Sequence, residues 1–341
     1  MSMHAARRAL PRRVAVIGPH ILDILGRPVE EIPPGQGSVR LEEIRLTAAG
    51  TAAGAAVDLA KLDARVRAFG AIGSDLAGDM VVAALARYNI DTSGLVRKPG
   101  TQTSATMLPI RGNGERPALH VPGATRLFQF DDIDLARLQD LDAVLLGGPD
   151  ALAGLSAEEL TSIVKTAQAA GALVAIDVLH PGNVKVFERL SPAVAGADWF
   201  WPNSDQLLAL TGRADLDLAI TDVLALGTAG VAVTLGADGC LVASGNGDVT
   251  HIPAIKASVV DTTGCGDSFN AGMLTGLLLG CDPVDAAWLG VACGALVATG
   301  LGSDAGIVSL DQVIDCLGAA NGEVAERVSA YRAANEENGG T

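Results

Sequence analysis

At 341 residues, 49% hydrophobic and only 3% aromatic, the chain can hold one large α/β domain or two ordinary ones, with small side chains and 41 glycines in much of the packing. Its 24 Lys and Arg against 39 Asp and Glu give a formal charge of −15, which argues against a nucleic acid partner because phosphate contacts need basic side chains. The five cysteines show neither a CxxC pair nor zinc-ligand spacing, and an odd, unframed set points to reduced thiols and a cytoplasmic setting.

Residues 1–11 carry Arg7 and Arg8 but no apolar run of the signal-peptide kind, and read as a disordered tail. From there, short β-rich runs alternate with helical periodicity. Strands are expected at 14–17, 66–69, 143–146, 173–176, 199–201 and 231–235, and helices at 52–62, 79–88, 157–170 and 204–210. Continuous apolar strands joined by crossover helices predict a mostly parallel sheet with helices on both faces, and ligands beyond the carboxyl ends of its strands. Trp199 and Trp201, two apart on a strand, should share one face in the core. Segments 26–48 and 101–125 break the rhythm and read as extended pieces with turns at Pro33-Pro34-Gly35 and Gly112-Asn113-Gly114. The end of the chain, 328–341, turns polar and reads as a frayed tail. No stretch is long and apolar enough to span a membrane.

The most informative stretch is Asp261-Thr-Thr-Gly-Cys-Gly-Asp-Ser-Phe-Asn-Ala-Gly272. Gly264, Cys265 and Gly266 form a small-residue turn opening a long apolar helix, where unpaired N–H groups and the helix dipole favour an anion. A carboxylate inside such a site, Asp267, costs free energy unless it does chemistry. The matching task is to take a proton from a hydroxyl as it attacks a phosphoryl group. A plain helix cap is the simpler alternative for the same residue. Among five histidines, His20, His120 and His180 lie near substrate-facing segments, but none groups with a Ser or a metal set, so a hydrolase triad is unsupported. No Gly-x-Gly-x-x-Gly follows the first strand, which argues against a Rossmann dehydrogenase.

The full string Asp-Thr-Thr-Gly-x-Gly-Asp-x-Phe-x-x-Gly resembles the signature of the ribokinase-like, or PfkB, carbohydrate kinases. The resemblance extends from about Val14 to Gly306 and implies a ribokinase-like α/β fold with a small β lid: a core of 12–26, 49–100 and 127–320, and a lid of 27–48 and 101–126. It implies ATP and Mg2+, and in some relatives K+. By that resemblance, Gly264, Cys265 and Gly266 form the anion hole and Asp267 is the base. Asp23, in Gly18-Pro-His-Ile-Leu-Asp23, would bind substrate hydroxyls.

Other matches are less complete. Ala48-Ala-Gly-Thr-Ala-Ala-Gly-Ala-Ala56 is similar to a Gly-Gly-x-x-x-Asn-x-Ala segment, with Gly50 kept, Ala49 for the first Gly, and Gly54 in place of the sugar-binding Asn. That exchange leaves space and opens the pocket to a bulkier or less hydroxylated substrate. Gly70-Ala-Ile-Gly-Ser-Asp-Leu-Ala-Gly78 also matches and is read as a structural turn with Asp75 at a helix start. Asn203 keeps the Pro-Asn-x-x-Glu motif, but Gln206 replaces its Glu in the Mg2+ network, so Gln206→Glu is expected to lower the Mg2+ requirement. Thr234, Gly236 and Gly239 match a nucleotide-edge loop, and Asp261 and Thr263 match positions that bind a monovalent cation in some relatives. The expected activity is ATP-dependent phosphotransfer to a small sugar. A nucleoside kinase of the same family and a catalytically weak sugar-sensing protein are the alternatives, and the lid segments lack an aromatic residue to stack on a base. Relatives pair through their lids, which implies a homodimer.

Overall fold

A computed structural model describes residues 12–245 and 247–337. Thirteen strands form two sheets. The strands are β1 (Arg13–Ile17), β2 (Ile21–Arg27), β3 (Glu43–Ala49), β4 (Arg65–Gly73), β5 (Asp91–Lys98), β6 (Ala105–Pro109), β7 (Leu119–Val121), β8 (Ala143–Gly147), β9 (Leu173–Asp177), β10 (Trp199–Phe200), β11 (Gly230–Thr234), β12 (Cys240–Ser244) and β13 (Val249–Ile252). The large sheet runs β13-β12-β11-β10-β9-β8-β1-β4-β5. Seven neighbouring strands, β11 to β5 in that order, are parallel, and only the β11-β12-β13 edge is antiparallel.

Among the described residues ten α-helices complete the fold: α1 (Thr51–Lys61), α2 (Leu76–Ala86), α3 (Ala157–Ala169), α4 (Val184–Gly196), α5 (Ser204–Thr211), α6 (Leu216–Leu224), α7 (Cys265–Leu279), α8 (Pro283–Val297), α9 (Leu310–Ala320) and α10 (Gly322–Glu337). Their starts are written in the sequence. Asp75 caps α2 by accepting from Gly78 N, and Ser156 with Glu159 forms a capping box on α3. Helices α3 to α6 cover one face of the sheet, while α1, α2 and α7 to α10 cover the other. Side chains of β10 alternate between them as the pleat requires: Trp199 and Trp201 pack on the α7 side, Phe200 on the α3 side.

The second sheet, β3-β2-β6-β7, differs from the expected lid boundary. Its first strand starts at Ile21, ahead of residue 27, because the chain leaves the large sheet at the end of β1 and β2 pairs with β3 from Ile21↔Ala49 onward. One of its faces presents Asp23, Thr47, Thr106 and His120 in one cross-strand row. The opposite face aligns Ile24 with Leu46 and Met107, and Met107 with Leu119; the last three are exposed.

Residues 328–337 are helical, not frayed. Val324, Ala325 and Val328 form a narrow buried stripe of α10, and Asn335 Nδ2 donates to Leu279 O at 2.6 Å. Most of this helix faces solvent and is polar, which gives the segment the composition of a tail. The expected tail at 1–11 and the last residues, 338–341, lie outside the described residues.

Candidate active site

Parallel strands β1, β8, β9, β10 and β11 end together, and the polar face of the small sheet lies across those ends. Between them is a cavity of about 410 Å³, within the range of small-molecule sites. Its polar lining includes Asp23, Arg116, Asp177, Asn203, Thr234 and Asp267.

The start of α7 forms one wall. Gly264 adopts φ 84°, and a Cβ there would stand 2.5 Å from Ser303 Cα, so both conformation and space demand glycine. Cys265 N donates to Thr262 O at 3.3 Å and Ser268 N to Gly264 O at 2.8 Å. The N–H groups of Gly266 and Asp267 have no protein acceptor among the described residues. Nothing lies within 4 Å of where a Gly266 Cβ would be, so its backbone is open to a ligand. Unpaired N–H groups and open space at a helix start are the features that suit an anion. The turn is braced from behind by buried Asp261, whose Oδ1 accepts from Thr263 N (3.0 Å) and Thr263 Oγ1 (2.8 Å) and whose Oδ2 accepts from Gly302 N (2.9 Å).

Asp267 is the third residue of α7, yet Gly264 occupies the cap position and no cap bond reaches the Asp267 carboxylate. The plain cap role is therefore not what the geometry gives. Burial pushes the carboxyl up to about 6, against the downward pull of Arg116. Two further carboxyls face the same space. Asp23 is pushed up to about 7, mainly by burial and further by Asp267 and Asp261, while a hydrogen bond with Thr106 and the Arg116 charge oppose the rise. Asp177, at the end of β9, lies well above the usual carboxylate range through burial and the nearby Asp267, although Val178 N and Asn270 Nδ2 both donate to it at 2.6 Å.

Gly50 lines the cavity, but Gly54 does not. A Cβ at Gly54 would lie 2.5 Å from Asp267 Oδ2, so the space expected for a substrate is filled by the Asp267 side chain. Gln206 also departs from expectation. It lines the cavity, but its Oε1 accepts from Asn203 N (2.7 Å) and its Nε2 donates to Val178 O (2.9 Å). Asn203 Oδ1 in turn accepts from Gln206 N at 2.9 Å, completing the capping box of α5. The amide thus ties α5 to the loop after β9, a link a carboxylate cannot donate. Thr234 lines the cavity beside Asn203, whereas Gly236 and Gly239 shape the β11–β12 turn outside its lining. Thr263 lines it; Cys265 does not, and burial pushes the Cys265 thiol up to about 12, against the reactivity a helix start would give it.

Arg116 and Asp177 belong to no motif of recognisable spacing, and Asn270 sits at an unspecified position inside the Asp261–Gly272 motif. His120 and His180, which the sequence placed near substrate-facing segments, both line the cavity. His180 Nδ1 is 2.9 Å from buried Asp150 Oδ2, and that bond pushes the imidazole up. His120 Nδ1 lies 3.1 Å from Thr106 Oγ1, and burial pushes it down. His20 is fully buried with Nδ1–H donating to Gly18 O at 2.9 Å, and burial lowers it to about 4, so it is a neutral structural residue.

A sequence profile describing the pfkB family carbohydrate kinases matches residues 11–309. The chain belongs to that family. The pfkB chain is 30% identical over 278 residues to an ATP-dependent ribose-1-phosphate kinase of Halopiger xanaduensis, covering 79% of this chain and 86% of that one. The ribokinase of Thermotoga maritima superposes with a TM-score of 0.74 at 25% identity, covering 90% of this chain and 99% of the other. An E. coli chain solved with ATP and Mg2+ has the same fold at a TM-score of 0.78 and 21% identity, covering 90% and 99%. The fold is thus ribokinase-like α/β with a small additional sheet, and the general activity of this pfkB member is ATP-dependent phosphotransfer to a sugar or nucleoside.

Proposed function

We propose that this pfkB kinase phosphorylates a hydroxyl of a small sugar, with Asp267 as the general base and the α7 start as the anion hole. The observation that carries the reading is the Asp267 carboxylate. It stands at the unpaired N–H groups of the α7 start, has no hydrogen-bond partner among the described residues, and is pushed up to about 6 by burial. A base that is ionised at neutral pH yet raised from its ordinary value is suited to accept a proton during attack. The acceptor hydroxyl, held by Asp23 across the cavity, gives its proton to Asp267 as its oxygen bonds to phosphorus. The Gly266 and Asp267 N–H groups then face the oxygens of the transferring phosphoryl, with Gly264 fixing the turn.

Mg2+ supplies charge neutralisation along the nucleotide phosphates when bound. Among the described residues no group of three His, Cys, Asp or Glu could hold a metal. That fits an ion which arrives with the nucleotide and keeps its waters. Asn203 and Thr234, joined by a β-bridge at the cavity edge, are assigned to the nucleotide side. Asp261 and Thr263 are assigned to shaping the turn, and comparing turnover with and without K+ tests whether they also serve a monovalent cation.

Sugar is preferred to nucleoside because the extra room that favoured a nucleoside at Gly54 is occupied by Asp267. The same contact opposes a sensing-only role, since the Gly54 exchange accommodates the base instead of emptying the site. The exposed face at Leu46, Met107 and Leu119 suits pairing of two copies through their small sheets, and sedimentation of the intact chain reads that directly. No helix among the described residues is long and apolar enough to cross a membrane, and a cytoplasmic setting is part of this proposal. ADP release from Mg2+-ATP, measured across a panel of sugars and nucleosides, tests the function: turnover with a sugar is expected, and faster turnover with nucleosides overturns the sugar assignment.

A further inference from the structure

One whole positive charge from the protein's Lys and Arg side chains reaches the cavity. Among the described residues lining it, Arg116 is the sole Lys or Arg. It sits on the loop between β6 and β7, and its Nε donates to Thr262 Oγ1 at 3.2 Å, two residues before Gly264. No carboxylate pairs with it among the described residues, unlike Arg111 on the same loop, which pairs with Glu115. Arg116 is exposed, so nothing in the protein uses its remaining donors for packing.

The surroundings make that charge consequential. Asp23, Asp177 and Asp267 all line the same cavity, and a phosphoryl group brings full negative charge beside the Asp267 carboxylate. The backbone donors of the α7 start supply partial charges only. The Arg116 field already reaches the reacting end of the site, since it pulls Asp267, Asp23 and the Cys265 thiol downward.

We propose that Arg116 is a catalytic residue, its guanidinium donating to the oxygens of the phosphoryl group in transit at the α7 start. The inference rests on the kinase reading above. In the step, the acceptor oxygen–phosphorus bond forms while the bond from phosphorus to the bridging oxygen of ADP breaks. The electron pair of the broken bond leaves with ADP, the hydroxyl proton passes to Asp267, and Arg116 exchanges no proton. Because Arg116 belongs to the small sheet and Thr262 to the α7 loop, the sheet must lie over the cavity for the charge to be in place. Closure of the sheet and stabilisation of the transferring group then become one event.

The test compares wild type with Arg116→Ala, Arg116→Lys and Arg116→Gly in steady-state ADP release. Removing one donor to developing charge costs about 10²-fold or more in kcat, with the KM for the acceptor changing far less. Arg116→Lys is expected to recover part of the loss, and added methylguanidinium to restore part of the Arg116→Gly rate. Removing the cation should also move the acid limb of the pH profile of kcat/KM upward, which loss of a merely structural contact would not do. A kcat within about threefold of wild type in Arg116→Ala overturns the assignment. So does a change confined to the acceptor KM, which would make Arg116 a holder of an acceptor anion. Absence of turnover in wild type across the panel overturns the kinase reading, and Arg116 falls with it.

Discussion

Gly54 and Asp267 are in contact: a Cβ on Gly54 would stand 2.5 Å from Asp267 Oδ2 and 3.0 Å from its Cγ. The contact joins the middle of α1 to the first turn of α7. It explains why a position that carries an amide in the family's motif is a glycine here. The base leans into the room the missing side chain leaves.

Gly54→Ala and Gly54→Asn should therefore act on the chemistry more than on the fold. Either side chain must displace the carboxylate, and misplacement of a reacting group by about 1 Å costs about 100-fold in rate. We expect kcat to fall at least tenfold in Gly54→Ala and further in Gly54→Asn, with far-ultraviolet circular dichroism unchanged. Wild-type kcat in Gly54→Asn, with tighter sugar binding, would show that the base does not need this space.

The protonation state of Asp267 sets the acid side of the activity profile. Its folded pKa, raised to about 6 by burial, means that the carboxyl is protonated and unable to accept a proton below that pH. Activity should rise as pH increases through about 6 and level off above it. A profile of kcat/KM from acid to neutral pH reads this, and a limb at the ordinary carboxylate value near 3.8 would contradict the burial of this group.

Gln206→Glu is expected to harm stability without improving Mg2+ use. A glutamate can still accept from Asn203 N, so the α5 cap survives, but its second oxygen meets Val178 O where Nε2 now donates at 2.9 Å. Leaving a buried acceptor unpaired costs about 1–3 kcal/mol. Thermal unfolding should shift down by several degrees, with the Mg2+ concentration for half-maximal activity unchanged. An unshifted midpoint with a lower Mg2+ requirement would restore the metal role for position 206.

The parallel sheet was readable because its strands are short apolar runs separated by helical periodicity, as at β1, β8 and β9. Edge strand β5 was not, since Asp-Thr-Ser-Gly-Leu-Val-Arg-Lys mixes polar and apolar residues on a partly solvated edge. The α7 motif announced Asp267 through local spacing, and Asp23 followed from its place after the first strand. Arg116 and Asp177 reach the site from separate parts of the chain, so no local pattern marks them, while Asn270 falls at a motif position where any residue fits. The reversal at Gly54 was hidden for a different reason: its neighbour in space is more than two hundred positions away. A missing side chain looks like an opening until the residue that fills it is known.

Whether Asp267 takes the acceptor's proton is read from ADP release by Asp267→Asn beside wild type. The isosteric amide keeps the fold and the Gly54 contact but cannot act as the base. The variant is expected to fold and to bind nucleotide, with kcat lower by about 10³-fold. A loss within about tenfold would contradict the base role and remove Asp267 from the reaction.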